Sequence, residues 1–240
     1  MPFEGSRMNN RLALHHLPKW HQNAAYITAL SVSPLINTWI TALIQHHAKG
    51  HGSIIKDLQP LAIPTVLVSS IVVLLSINLA RTLLYKHQRI RGTLLVLGVL
   101  VTMDLVLNVV LIGYRICTIP TIDATLLLQV SALAYLSLTL TFLFWYWFID
   151  YPTQVRHLHH QDHLCAIVFP REAVLMNAHW LPNLLDYLYL TVITSNTLGP
   201  PENHTPVSRS IKLVQMVHST TVLVLLVLVV SRAVNTLRQQ

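Results

Sequence analysis

Three groups of residues have the types and spacing for chemistry. Asp104 is followed four residues later by Asn108, and side chains four apart share one face of a helix. A carboxylate and an amide so placed can hold a cation or relay a proton, or bond a neighbouring polar group such as Asn78, Gln129 or a hydroxyl across helices. The run Arg156-His-Leu-His-His-Gln-Asp-His-Leu-Cys165 offers four histidines, an aspartate and a cysteine within ten residues, all of them zinc-ligand types. His157, His159, His160 and His163 are weak metal candidates only. Their spacing matches no zinc motif, and His15-His16 and His46-His47 cluster elsewhere without cysteine, so a solvated or headgroup-facing loop is the leading reading. The third group is Thr194-Ser-Asn-Thr-Leu-Gly-Pro-Pro-Glu202, a hydroxyl-rich run broken by glycine and two prolines and ended by an acid. No Gly-rich phosphate loop, nucleophile elbow, HExxH or paired-cysteine site is present. Neither an enzyme nor a cofactor is expected. Cys117 and Cys165 allow one bridge at most and leave the redox compartment undetermined. The sequon Asn203-His-Thr205 is followed directly by Pro206 and is not read as a glycosylation site.

The elements that position these groups follow from composition. Of 240 residues, 53% are hydrophobic and 10% charged, against roughly 25% charged in soluble domains. The apolar residues are gathered into blocks, which points to lipid. A net charge of +7 is compatible with nucleic acid, but Lys and Arg sit between the apolar blocks, where they act as topology anchors beside anionic lipid. The predicted architecture is an all-α membrane bundle of four to five spans. A basic segment, 1–23, shows no signal-peptide cleavage pattern and precedes a first apolar stretch at about 24–44. That stretch is the weakest span, because Ser31, Ser33, Pro34, Asn37 and Thr38 interrupt it, and lying in the interface is its alternative. Blocks at 61–85, 93–116, 124–149 and 213–234 each meet the roughly 20 residues that cross a ~30 Å hydrocarbon core. Asn78, Asp104, Asn108, Gln129 and His218 fall inside spans, where polar groups serve as helix–helix glue or mark a pathway. Trp145, Tyr146, Trp147 and Tyr151 read as an interfacial aromatic belt.

Residues 150–183 read as a polar, His-rich loop. The apolar piece that follows, about 184–195, is too short to span. It leads through 196–206 to the last span. Such a segment is either a re-entrant helix, covered at membrane depth by protein or water, or an amphipathic helix lying on the surface.

The order Asp186-Tyr-Leu-Tyr-Leu-Thr-Val-Ile-Thr-Ser-Asn-Thr-Leu-Gly199, then a Pro-bounded turn, Thr205-Pro206, Arg209 and a long final span, resembles the pore module of two-span and two-pore potassium channels. Thr197, Leu198 and Gly199 match the start of that family's filter. Pro200 and Pro201 stand where Tyr and Gly belong, and Glu202 falls at the acidic position. Proline fixes φ where the filter backbone needs glycine's freedom, so the potassium signature is broken. Phe144 to Leu237 is also similar to a group of bacterial multi-span proteins that share a pore-like C-terminus, on the Phe-Trp-Tyr-Trp-Phe-Ile-Asp150, Phe169-Pro170, Asp186-Tyr-Leu-Tyr189 and Arg232-Ala-Val-Asn235 segments.

These resemblances imply a multi-pass protein of a bacterial inner membrane. Its module at 184–240 would conduct monovalent cations, with Thr194, Ser195, Thr197, Leu198, Gly199 and Glu202 at the constriction. One loop per chain requires a homo-oligomer around the axis. The alternatives are a non-conducting membrane scaffold and a proton or solute carrier centred on Asp104. Beyond lipid, cations and other copies of the chain no partner is expected, nucleic acid included. Orientation is contested: the channel resemblance puts the loop outside, whereas Arg81, Lys86, Arg89 and Arg91, with Arg7, Arg11 and Lys19, draw it inward.

Overall fold

The computed structural model describes residues 20–48, 66–77, 90–118, 124–159, 164–170 and 180–237. Four long helices dominate: α1 (Trp20–Ala48), α3 (Ile90–Thr118), α4 (Ala124–His159) and α6 (Arg209–Leu237). All four are long and apolar enough to cross a membrane. Two helices are shorter, α2 (Val66–Ile77) and α5 (Leu184–Thr197). A strand pair, β1 (Ile167–Val168) and β2 (Thr205–Pro206), is antiparallel, with Ile167 opposite Pro206 and Val168 opposite Thr205. The all-α membrane-type bundle expected from composition is the fold observed. Of the block at 61–85, α2 is the described part, and Asn78 lies outside the described residues.

Helix α4 is the hub, packing against α1, α3, α5 and α6. It packs on α3 at Gly98, where a Cβ would come within 2.6 Å of the Phe144 ring, so any larger residue there would have to displace that ring. The first apolar stretch forms a helix of spanning length along α4, and of its polar residues Ser33, Asn37 and Thr41 are buried, while Ser31 and Thr38 are half-buried and bond carbonyls of their own helix. Pro34 lies inside it and removes one backbone donor.

Two expectations shift. The third block does not end at 149, because α4 continues to His159 through Pro152, so the first ten residues of the expected His-rich loop are helical. In consequence the aromatic cluster is no exposed belt. Tyr146 and Trp147 are buried, Trp147 stacks on Tyr26 with ring centroids 4.5 Å apart, and Trp145 Nε1 donates to Thr102 Oγ1 at 2.7 Å. These rings fill the junction of α1, α3 and α4, where their area is worth more than at an edge.

Helix α5 begins with a capping box. Asn183 Oδ1 accepts from the amides of Leu185 and Asp186, and Asp186 Oδ2 accepts from the Asn183 amide. It runs antiparallel to α4: Tyr187 meets Asp150 near one end, and Asn196 meets Tyr135 near the other. Those two α4 positions are fifteen residues apart, about 22 Å along a helix axis. The chain then returns, and Val207 N and Ser208 N both donate to Ala166 O, beside the end from which α5 started.

Candidate functional site

Polar side chains gather in three places, and α4 touches each of them. Between α1, α2, α3 and α4, Asn37 Nδ2 donates to Asp104 Oδ2 at 2.7 Å and Ser69 Oγ to Asp104 Oδ1 at 3.4 Å. Asn37 Oδ1 accepts from Ser137 at 2.8 Å, Ser137 meets Ser33 at 2.7 Å, and Ser33 meets Thr141 at 2.9 Å. Asn108 Nδ2 donates to the Asn37 carbonyl at 3.1 Å. Asp104 is fully buried. Its partners are thus Asn37 and Ser69, whereas Gln129, an expected partner, is exposed.

The second place is Asp150, also fully buried. Its carboxylate accepts from Tyr187 OH at 2.8 Å, the Ile167 amide at 2.8 Å, Gln154 Nε2 at 3.2 Å and Thr153 Oγ1 at 3.4 Å. Gln154 also donates to Ile167 O at 2.7 Å and accepts from Cys165 Sγ at 3.2 Å. Charge-assisted bonds of this kind are the strong ones. They fasten the first turn of α5 and strand β1 to α4.

The third place is His218 of α6, which is fully buried. Its Nε2 lies 2.9 Å from Ser195 Oγ of α5, its Nδ1 3.2 Å from Tyr146 OH of α4, and its ring stacks on Phe142 at 4.3 Å. One imidazole thus links side chains of three helices, α4, α5 and α6.

The loop after α5 hangs from these supports. Leu198 caps α5 in the left-handed region, at φ 57°, a conformation that favours glycine. Thr197 Oγ1 lies 2.8 Å from Ile193 O and 2.9 Å from Gly199 O, so its single hydrogen serves one carbonyl at a time. A turn closes with His204 N on Pro201 O, through Asn203 at φ 63°. The six constriction candidates divide. Thr194 and Ser195 are buried against the bundle, whereas Thr197, Leu198 and Glu202 are exposed and Gly199 is partly so. A Cβ on Gly199 would meet nothing closer than 4.0 Å, so this glycine borders open space.

Among the described residues no group of His, Cys, Asp and Glu is placed to hold a metal ion. His160 and His163 lie outside the described residues, as does the side chain of His159, while His157 sits on the last turns of α4.

Asp150, Tyr187, Gln154, Tyr146, Ser33, Ser69, Ser137 and Thr141 were not singled out as site residues from the sequence. A signal existed for several. Ser33/Asn37, Asp104/Asn108 and Ser137/Thr141 are polar pairs spaced four apart on three different apolar helices, the pattern of faces that meet. Comparison of the chain with protein-family models, with characterised proteins and with solved structures returned no match.

Proposed function

We propose that α5 is a re-entrant helix, entering and leaving the membrane on one side, and that copies of the chain surround an axis where the loop after α5 passes monovalent cations. The observation that carries this reading is the exposed polar end of α5. Asn196, Thr197 and Leu198 lie at the level of Tyr135, within the apolar span Thr125–Leu158. An unsatisfied backbone group in hydrocarbon costs several kcal/mol, so this end needs protein or water over it. A symmetric assembly around a wet axis supplies both. The sign of the field agrees: no basic residue stands in the last turn of α5, and a helix carboxyl end carries partial negative charge that favours a cation. The Thr197 hydroxyl can turn from the Gly199 carbonyl to that of Ile193, which would release the Gly199 carbonyl, beyond the end of α5, toward a cation.

With Pro200 and Pro201 in the loop there is no row of filter carbonyls, and weak selectivity among monovalent cations is expected. Ion flux in liposomes carrying the purified protein, under K⁺, Na⁺, H⁺ and Cl⁻ gradients, tests the reading. Gly199→Val fills open space without disturbing the fold and should abolish cation flux, as should Thr197→Val. If folded, oligomeric protein moves no ion under any gradient, the module is a scaffold.

A further inference from the structure

The network around Asp104 takes no part in that reading, because its α4 members, Ser137 and Thr141, are not the α4 residues that meet α5 and α6. Amides and hydroxyls alone already join α1 to α3, through Asn108 and the backbone carbonyl of Asn37, and α1 to α4, through Ser137. Only the carboxyl of this network can change its charge. Among the described residues no Lys, Arg or His is bonded to it; its partners are Asn37 Nδ2 and Ser69 Oγ. As a carboxylate it is a buried charge with no cationic partner there, a costly arrangement in hydrocarbon. A proton removes that charge.

We infer that Asp104 is a proton-exchange site. In one form the acid holds its O–H bond; in the other that bond has broken and the proton has passed to water. The surroundings suit both forms. Asn37 Nδ2 donates to Oδ2 in either. The Ser69 hydroxyl, 3.4 Å from Oδ1, donates to the carboxylate and, turned about its C–O bond, accepts from the acid. Behind Asn37, the hydroxyls of Ser137, Ser33 and Thr141 form a chain at 2.7 and 2.9 Å whose hydrogens reorient without moving a heavy atom.

The described side chains that face the carboxyl, Asn37 of α1 and Ser69 of α2, carry no titratable group, nor does Ser137 of α4 behind them. On the same helices Tyr26 and His46 lie eleven and nine residues from Asn37, Tyr135 is turned to Asn196, and Tyr146 to His218. Arg91 of α3 is thirteen residues away over the Phe148 ring, about 20 Å along the helix. Loading the site therefore changes the charge by one at a single point, where α1, α2, α3 and α4 meet.

The test is infrared spectroscopy of the full chain in liposomes, in H₂O and D₂O, as the bulk pH is stepped. The expected result is a carboxylic-acid carbonyl band that comes and goes reversibly with pH and is missing in Asp104→Asn. Asp150→Asn, which alters the other buried carboxyl among the described residues, should leave that band in place. Should Asp104→Asn fail to fold, Asp104→Glu should shift the band. A band assigned to Asp104 that no pH removes would overturn the inference in favour of permanent helix glue. A carboxylate signal that answers to Na⁺ or K⁺ and not to pH would replace the proton by a metal cation. The outcome is independent of flux through the loop after α5, so either reading can fail alone.

Discussion

Two polar regions of this molecule use the same hydrogen bonds to different effect. Between α1 and α4, four hydroxyls, two amides and one carboxyl satisfy one another inside the bundle and expose nothing polar. On another face of α4, α5 is pinned near its start by Asp150 and in its last turn by His218, and its final residues stay exposed. A closed network binds long helices together. A pinned short helix presents its tip. The burial of α6 follows the same division: 17% of its most apolar window is buried, against 50% in α1 and α3, so the helix beside the tip has most of its surface left for lipid or another copy.

The sharpest way to break this comparison is Asp150→Leu, which strands Tyr187 OH and the Ile167 amide and takes one acceptor from Gln154. Leaving buried donors unpaired costs roughly 1–3 kcal/mol each before relaxation, and a loss of about 3 kcal/mol is expected in reversible unfolding in bicelles. Hydrogen exchange should rise in α5 and at 164–168 and stay unchanged around Asp104. Asn37→Leu is the reciprocal change. It removes the side-chain partner of Asp104 and Ser137 while Asn108 keeps the backbone carbonyl of residue 37, should destabilise by about 2 kcal/mol, and should raise exchange in α1 and α3 while leaving α5 protected.

A smaller effect is expected from His218→Leu, about 1 kcal/mol, in line with interhelical bonds in membranes. The gain in exchange should be confined to the last turn of α5. Leu198→Gly, smallest of all, should stabilise by about 0.5–1 kcal/mol through relief of the left-handed backbone, read as a rise in the thermal midpoint. If Asp150→Leu and Asn37→Leu loosened the same segments, the two regions would be one cooperative unit and the distinction would fall.

The sequence was most legible where one physical rule dominates. Long apolar blocks with charges between them mark helices of spanning length, and the short helix at 184 was legible as an apolar piece too short to span that stops before Gly199-Pro200-Pro201. It was least legible where partners are distant in the chain. Asp104 is 67 residues from Asn37, and nothing local chooses Asn37 over Gln129. Asp150 read as the first residue of a loop because ionisable residues usually sit at span ends. Its burial depends on Tyr187, 37 residues later, which only the antiparallel return of α5 brings close. Thr194 and Ser195 looked equivalent to Thr197, but helical rotation turns the first two into the bundle and the third outward.

The account turns on whether the end of α5 meets water at membrane depth. Single cysteines at Asn196, Thr197 and Gly199, in a Cys117→Ser, Cys165→Ser background and in liposomes, would be exposed to a membrane-impermeant thiol reagent, with Val227→Cys on the exposed apolar face of α6 as the lipid-facing control. Rapid modification at 197 and 199, with the control inert, is the predicted result. If cysteines at 197 and 199 are as unreactive as the control in folded, oligomeric protein, the tip is sealed and the pathway does not exist.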